Sequence, residues 1–359
     1  IKMAPVLKRL AEAGFESRVC VTAQHRDMLD QVLKLFDITP DIDLNLMRPD
    51  QSLDALTARA LTGITEVLQA ERPQMVLVHG DTTTALSAAL AAFYRHIPVG
   101  HVEAGLRTGN IAAPFPEEVN RRLADTVSSL HFAPTESARY NLLFEGIQTS
   151  TISITGNTVI DALFMVREKL LADAEQMLAL DREFPFPTNG RRLVLVTGHR
   201  RENFGPGFED ICAALGDLSN REDIEIVYPV HLNPNVQKPV LKMLSNLDNV
   251  HLIEPVDYRR FVYLMMKACI VITDSGGVQE EAPSLGKPVL VMRDVTERPE
   301  AVEAGTVRLV GTERLRIEAE ANRLLDDPVA YEEMSRAHNP YGDGHAAERI
   351  VKRIQQYAG

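Results

Sequence analysis

Several side chains suited to catalysis or phosphate binding directly follow predicted β-strands. Parallel sheets bind their ligands at this carboxyl edge, so these side chains are candidates for a common site. The candidates at four strand ends are Asp81, Glu103, the run His199, Arg200 and Arg201, and the run Ser275, Gly276 and Gly277. A further acidic pair, Glu117 and Glu118, opens a predicted helix. Carboxylates and imidazoles at such positions are the usual groups for proton transfer.

Each candidate also has a purely structural interpretation. Asp81 and Thr82 can cap a helix, the acids at 117 and 118 can offset the dipole of a first helical turn, and His199 can be a core histidine. The run 200–202 can be a solvated charged segment, and His79 and His101 lie inside apolar strands and are taken as structural. The functional interpretation is favoured because several ionisable groups fall at strand ends that can face one interdomain cleft.

The segment TDSGGVQEE, residues 273–281, joins a strand to a helix through two glycines. It lacks the signatures of a P-loop and of a nicotinamide-binding fold, so neither function is supported. Such a turn still presents backbone N–H groups and a positive dipole end to a phosphate. A diphosphate there needs cations, for which Arg298, His199 and Arg200 are candidates. Glu281 is suited to accept two ribose hydroxyls, with a first-turn dipole partner as its structural alternative.

Short apolar runs alternate with longer amphipathic segments along the chain. Nearly continuous apolar runs indicate strands covered on both faces, as in parallel sheets. The predicted strands are residues 17–23, 74–80, 98–104, 129–134, 151–156, 192–198, 224–230, 250–255, 269–277, 287–294 and 306–311. The pattern therefore predicts an α/β fold.

The length of 359 residues predicts two domains. A second sheet begins after the stretch FPFPTNGRR, and we place the domain boundary near Thr158. The N-terminal domain is then 1–158 and the C-terminal domain 159–344, and the helix at 345–359 is expected to cross back to the first. The chain starts with a predicted helix, although the first strand of a doubly wound sheet is central. We therefore expect a further N-terminal strand and turn in the natural protein.

The composition argues against several classes of protein. A net charge of −12 disfavours a nucleic-acid groove, and the apolar runs are too short to span a bilayer. Without a charged-then-apolar leader, a cytoplasmic location is expected. Cys20, Cys212 and Cys269 are predicted to be reduced core residues, and neither a disulfide framework nor a metal site is predicted.

Several motifs resemble a known enzyme family along almost the whole chain. They are IKMAP, TAQHRDMLDQVL, VHGDTTT, GHVEAGLRTG, PFPEEVNRR, TGNTVIDAL, TGHRREN, YPVHLNPNV and TDSGGVQEEAPSLGKPVLVMRDVTERPE. They are similar to those of the bacterial non-hydrolysing UDP-N-acetylglucosamine 2-epimerases. The resemblance implies two Rossmann-like domains facing a cleft, the glycosyltransferase-B architecture. It also implies conversion of UDP-GlcNAc to UDP-ManNAc without metal or nicotinamide, typically by a homodimer.

The resemblance also implies roles for individual residues. The catalytic set is Asp81, Glu103, Glu117 and His199, with His199 on the diphosphate side. The substrate-binding set is Lys2, Phe261, Ser275, Gly276, Gly277, Glu281 and Arg298, to which Arg200 is added as a candidate cation. Phe261 is implied to stack on uracil, and its structural alternative is an ordinary core residue. Gln24 and His25 match a region where family members bind a second, activating substrate molecule, although Asp27 stands where some members have glutamine.

The implied chemistry suits these residue types. If the C1–O bond to UDP breaks first, the C2 proton of the sugar becomes acidic, and anti elimination gives 2-acetamidoglucal and UDP. Re-addition with a proton on the other face gives the epimer, which requires carboxylates and a cradle for the leaving group. The sequence leaves open which carboxylate serves which face. The alternatives are a hydrolysing epimerase, a sugar transferase on the same fold and a non-catalytic nucleotide-sugar sensor.

Overall fold

The computed structural model describes residues 1–22, 26–48, 51–186, 190–296 and 298–358. The chain separates into unit 1, Ile1–Ala162 with Tyr341–Gly359, and unit 2, Leu163–Pro340. The sequence analysis placed this boundary at Thr158, but it lies four residues later, inside a helix. The first turn of that helix belongs to unit 1 because Asp161 accepts hydrogen bonds from the start of the C-terminal helix. No helix in these described ranges is both long and apolar enough to cross a membrane.

The strands follow the predicted apolar runs closely. They are β1 (Cys20–Val21), β2 (Ile42–Asp43), β3 (Val76–His79), β4 (Val99–Val102), β5 (Leu130–Ala133), β6 (Ile152–Ile154), β7 (Arg192–Thr197), β8 (Ile224–Pro229), β9 (Val250–Ile253), β10 (Ala268–Thr273), β11 (Val289–Val291) and β12 (Val307–Leu309). Every predicted strand is present. The short strand β2 was not predicted, because polar and apolar residues alternate in the surrounding segment DIDLNL, residues 41–46, which contains no continuous apolar run.

The helices fill the segments between the strands. They are α1 (Ala4–Glu12), α2 (Arg26–Leu35), α3 (Leu53–Glu71), α4 (Thr83–Phe93), α5 (Glu117–Val127), α6 (Glu136–Phe144), α7 (Thr158–Ala172), α8 (Ala174–Glu183), α9 (Pro206–Leu218), α10 (Pro234–Leu244), α11 (Tyr258–Lys267), α12 (Gly276–Glu281), α13 (Pro299–Glu303), α14 (Arg314–Asp326), α15 (Pro328–Ser335) and α16 (Ala346–Ala358). The helix predicted near the C-terminus is α16, and it packs against α1 in unit 1.

Unit 2 contains one six-stranded parallel sheet in the order β12-β11-β10-β7-β8-β9. The first strand of the unit is central, and the connections leave it in opposite directions along the sheet. This is the Rossmann strand order, whose ligand site lies where the order reverses. The reversal falls between β7 and β10, the two strands that lead into the TGHRR and TDSGG segments. The topology therefore places two predicted binding segments side by side.

Unit 1 contains a four-stranded parallel sheet in the order β3-β4-β5-β6 and a two-stranded parallel sheet of β1 and β2. Strands β3 and β4 pair in register from Val76 with Val99 to His79 with Val102. The segments after these two strands, which carry Asp81 and Glu103, are thus neighbours at one sheet edge. The further N-terminal strand expected for this sheet stays a prediction.

Helix packing follows the spacing of apolar side chains. In α3 the buried residues recur every fourth position, at Leu56, Ala60, Ile64 and Leu68, and this face packs on α4. The face of α16 that contains Ile350 and Ile354 joins Val6, Leu10 and Phe132 in one core cluster.

Two of the three cysteines depart from the prediction of a core position. Cys212 is buried in the core of unit 2, but Cys269 is only partly buried and Cys20 is exposed. Cys20 lies in β1, which is one half of a two-stranded sheet and is not covered as a central strand would be.

Candidate active site

Glu103 lies at the centre of a cluster of hydrogen-bond donors in unit 1. The Lys2 ammonium donates to its Oε2, Asn157 Nδ2 donates to the same oxygen at 3.0 Å, and His79 Nε2 lies 3.5 Å away. Only 10% of the Glu103 side chain is exposed. Burial alone raises the pKa of Glu103, but the charges and hydrogen bonds of Lys2 and His79 outweigh burial and hold the pKa well below its usual value. The carboxylate is therefore ionised at neutral pH.

The backbone of Glu103 is also unusual, with a φ of 66°. Residues other than glycine rarely adopt this left-handed conformation, which costs on the order of 1–3 kcal/mol and clusters at functional sites. The conformation places the Glu103 carboxylate directly after β4, close to His79 at the end of β3. His79, taken as structural from the sequence, therefore belongs to this cluster.

Asp81 is held by helix α5. Arg121 Nη2 donates to Asp81 Oδ2 at 2.5 Å, and Asn120 Nδ2 donates to the Asp81 carbonyl at 2.9 Å. The structural alternative for Asp81 and Thr82 was a helix cap, and it holds for Thr82, whose side chain caps α4, but not for Asp81. Neither Arg121 nor Asn120 was singled out from the sequence, although both lie in the PFPEEVNRR motif.

The neighbours Glu117 and Glu118 have different surroundings. Glu118 is fully buried and accepts hydrogen bonds from the main-chain N–H groups of Thr108 and Gly109, at 3.0 and 3.2 Å, and from Arg122. Glu117 is half-buried, and its side chain makes no hydrogen bond to any residue that the structure describes. Of the acidic pair, Glu118 thus holds a loop, and Glu117 is available to a ligand.

In unit 2 the buried carboxylate of Asp274 joins the segments after β7 and β10. Its Oδ2 accepts hydrogen bonds from the main-chain N–H groups of His199 and Arg200, both at 2.8 Å. Asp274 was not predicted from the sequence, although it is the residue that directly follows β10. It fixes the geometry of the two loops at the topological reversal of the sheet.

His199 lies against Asp274 and stacks on His231, with ring centroids 5.5 Å apart. Burial, the largest effect, lowers the pKa of His199; Asp274 opposes this, whereas His231 and Arg200 lower it further. His199 was predicted as a cation for a diphosphate, but with this lowered pKa it is mostly neutral at neutral pH. It is therefore better suited to form a hydrogen bond to a phosphate than to neutralise its charge. The interpretation of His199 as a core histidine is wrong, since 42% of the side chain is exposed.

Two guanidinium groups lie over the glycine turn that begins α12. A Cβ atom built on Gly276 would be 3.5 Å from Arg298 Cζ and 3.7 Å from Arg200 Nη2. The Ser275 N–H donates to Thr273 Oγ1, so Ser275 offers its hydroxyl rather than its N–H to a ligand. Arg298 is oriented by donation from its Nε to Glu280 at 2.7 Å. The turn thus combines predicted glycines with two predicted cations, which suits a phosphate group.

Glu281 is buried and accepts a hydrogen bond from the Tyr258 hydroxyl. Burial, followed by the charge of Glu281, raises the pKa of Tyr258 far above its usual value, so the phenol remains protonated. Glu281 ends α12 rather than lying in its first turn, so its alternative role as a dipole partner is wrong. Phe261 lies in α11, the helix that also carries Tyr258, and is half-buried.

Two further points concern the proposed regulatory residues and metal binding. Gln24 and His25 lie outside the described residues. Within the described part of the chain, no group of three or more His, Cys, Asp or Glu side chains is arranged to hold a metal ion.

Comparison with known proteins identifies the family. A sequence model of the family described as UDP-N-acetylglucosamine 2-epimerase matches residues 8–355. The chain belongs to this family. An enzyme of this name from Escherichia coli strain K12 is 58% identical over 357 residues, covering 99% of this chain and 95% of the relative. One from Yersinia pestis is 57% identical over 359 residues, covering 99% and 96%.

A solved epimerase structure shares the fold. The Neisseria meningitidis UDP-GlcNAc 2-epimerase bound to UDP-GlcNAc has a TM-score of 0.90 and 52% identity, covering 99% of this chain and 96% of that chain. These findings confirm the predicted epimerase family, the isomerase class of enzyme, and the α/β class with two Rossmann-like domains of glycosyltransferase-B type.

Proposed function

We propose that this epimerase family member interconverts UDP-GlcNAc and UDP-ManNAc by reversible epimerisation at C2 without net hydrolysis. The proposal rests on family membership over residues 8–355. It is supported by the ionised Glu103 carboxylate beside Lys2 and by the pair of guanidinium groups over Gly276. The first cluster suits proton transfer and the second suits a diphosphate leaving group.

In this proposal, unit 2 binds UDP. Arg298 and Arg200 pair with the diphosphate together with Ser275, and each charge-assisted hydrogen bond is worth about 1.5–3 kcal/mol. His199 adds a hydrogen bond to the leaving-group side. Glu281 accepts ribose hydroxyls, which its Tyr258 partner orients it to do. Phe261 stacks on the uracil ring.

The carboxylates of unit 1 act on the sugar. Cleavage of the C1–O bond leaves its electron pair on UDP and positive character at C1, which a carboxylate stabilises. A base then removes the C2 proton, and the C–H electron pair forms the C1–C2 double bond of 2-acetamidoglucal. The UDP oxygen then adds back to C1, and C2 receives a proton on the face opposite to the one from which the first proton was removed, which gives the C2 epimer. Two proton-transfer groups are needed, one for each face of the sugar, and they are drawn from the three carboxylates Asp81, Glu103 and Glu117.

The proposal extends to the assembly and regulation of the enzyme. A homodimer is the proposed assembly, and a second UDP-GlcNAc molecule near Gln24 and His25 is the proposed activator. A cytoplasmic location is likewise a prediction. The competing functions are hydrolysis to free ManNAc and UDP, and transfer of GlcNAc to an acceptor.

Proton NMR of UDP-GlcNAc incubated with the protein in D2O tests the reaction. We expect UDP-ManNAc carrying deuterium at C2, because the abstracted proton exchanges before re-addition. Free ManNAc with UDP would instead identify a hydrolysing enzyme, and an unchanged substrate despite UDP binding would favour a transferase or a sensor.

Variants of the three carboxylates extend this test. Asp81→Asn, Glu103→Gln and Glu117→Gln should each lose turnover by about 100-fold or more while UDP binding persists. Glu136→Gln is a matched control, since Glu136 also lies in the first turn of a helix, α6. Wild-type rates in all three site variants would contradict the assignment.

A further inference from the structure

A buried hydrogen-bond network connects strand β4, the strand that precedes Glu103, to helix α5. His101 in β4 and Asp125 in α5 are both almost completely buried, and His101 Nδ1 lies 2.6 Å from Asp125 Oδ1. The other ring nitrogen, Nε2, lies 2.8 Å from the carbonyl oxygen of Gly80. Both nitrogens of one imidazole thus face oxygen acceptors.

This geometry determines the charge of His101. A neutral imidazole has one N–H, so one of its nitrogens would point a lone pair at an oxygen lone pair. Asp125 is ionised, because its other oxygen accepts from Arg107 Nη2 at 2.7 Å and from the Gly105 N–H at 3.2 Å. The bridging proton therefore resides on Nδ1, and His101 carries protons on both nitrogens.

Charges of both signs surround the pair. Arg107 bridges Asp125 and Glu145, and Glu145 also lies 3.7 Å from Arg122 Nε. A further titratable neighbour is His131, which pairs in register with His101 on β5. Its Nε2 lies 2.8 Å from the main-chain oxygen of Asp125, and burial lowers its pKa, so it stays neutral.

The network contacts the chain close to two proposed catalytic residues. Gly80, with a φ of 65°, directly precedes Asp81; its N–H donates to the Val102 carbonyl and its carbonyl accepts from His101. Gly105, two residues after Glu103, donates to Asp125. A Cβ at Gly105 would lie 2.3 Å from a main-chain oxygen, so this segment has little freedom to move.

We propose that His101 and Asp125 form a buried imidazolium–carboxylate pair that positions the reacting carboxylates, through Gly80 on the Asp81 side and through Gly105 on the Glu103 side. His101 and Asp125 are positioning residues in this scheme, since both are buried and act through the main chain at Gly80 and Gly105. The part that concerns turnover rests on the proposed epimerase function. The charge state of His101 does not depend on it.

Long-range 1H–15N NMR of the histidine-labelled wild-type protein tests the charge state. At about pH 8, well above the ordinary histidine pKa of about 6.5, we expect both nitrogens of one buried ring to have the chemical shifts of protonated nitrogens. Absence of this signal in His101→Gln assigns it. A His101 ring with one unprotonated nitrogen at that pH would overturn the proposal, whatever the enzyme's activity.

Two matched substitutions test the positioning role. The amide nitrogen of glutamine reaches the place of Nε2 and keeps the donor to Gly80, whereas that of asparagine reaches the place of Nδ1 and keeps only the donor to Asp125. We expect His101→Asn to lower kcat on the order of 100-fold, and more than His101→Gln does, with the Kd for UDP unchanged. His131→Gln is the control for loss of a buried histidine.

The outcomes separate this inference from the proposed function. Wild-type kcat in a folded His101→Asn variant would overturn the positioning role. If neither variant folds, the wild-type spectrum still tests the charge state without an assignment, because a spectrum in which no histidine ring is protonated on both nitrogens at about pH 8 would overturn it. Absence of epimerisation by the wild type would count against the proposed function alone.

Discussion

At the scale of single residues, Glu103 shows how a carboxylate remains ionised although it is nearly buried. Desolvation disfavours its charged form, but Lys2, His79 and Asn157 surround one of its oxygens. Lys2 is the only one of these three that carries a permanent charge. The protonation state of Glu103 therefore depends mainly on a lysine 101 positions away in the chain.

Replacing Lys2 by methionine should raise the pKa of Glu103, because burial is then opposed only by His79 and Asn157. The folded-state pKa of Glu103 is lowered in the wild type, so its ionised form persists as the pH falls, until the pH reaches that low value. In Lys2→Met we expect the acidic limb of kcat/KM to move to higher pH. The profile is measured with UDP-GlcNAc, and Lys8→Met on the exposed side of α1 is the control. An acidic limb that does not move would show that Lys2 does not control this carboxylate.

At the scale of elements, helix α5 organises unit 1. Its residues Glu118, Arg121 and Asp125 lie three to four positions apart and so share one side of the helix. They hold, in turn, the loop at Thr108, the Asp81 carboxylate and the His101 ring. Glu117 directly precedes Glu118 and is rotated from it by about 100° around the helix axis.

The adjacent substitutions Glu117→Gln and Glu118→Gln should therefore affect different properties, the first turnover and the second stability. Glu117→Gln should lose turnover with an unchanged free energy of unfolding. Glu118→Gln should lower that free energy by about 1–3 kcal/mol, because a buried charged acceptor of two N–H groups and an arginine is lost. Urea denaturation and the epimerase assay measure the two quantities on each variant. A large loss of stability in Glu117→Gln would contradict this division of roles.

At the scale of the whole molecule, unit 1 is built from both ends of the chain. Asp161 accepts hydrogen bonds from the N–H groups of Ala346 and Ala347, at 3.2 and 2.8 Å, and so caps α16. Nearby, the Asn157 N–H donates to the Tyr341 carbonyl. Asn157 thus contacts both the returning chain and Glu103.

Asp161→Ala should release the first turn of α16. Loss of a helix cap costs about 1–2 kcal/mol, so hydrogen exchange of the α16 amides should accelerate. The Kd for UDP should not change, because the proposed UDP-binding residues belong to unit 2. Asp161→Asn keeps an acceptor oxygen, so the α16 amides should exchange more slowly in this variant than in the alanine variant. Equal protection of α16 in the wild type and in Asp161→Ala would exclude this capping role.

Much of this architecture could be predicted from the sequence, because the signals are local. Nearly continuous apolar runs predicted the strands of both large sheets, and the ends of these runs predicted Asp81, Glu103 and His199 as site candidates. Failures occurred where the local signal is weak or ambiguous. The segment around strand β2 has no continuous apolar run, and the helix that crosses the unit boundary has no break in its pattern.

What only the tertiary structure decided concerns contacts between residues distant in the chain. His79 and His101 are both histidines inside apolar strands, yet one lies beside Glu103 and the other pairs with Asp125. Glu117 and Glu118 have the same chemistry, and their positions around the helix axis give them different surroundings. Sequence periodicity specifies which face of an element is buried, but the partner on that face is supplied by another element. The protonation and role of a side chain depend on that partner, and they become visible only when the chain is folded.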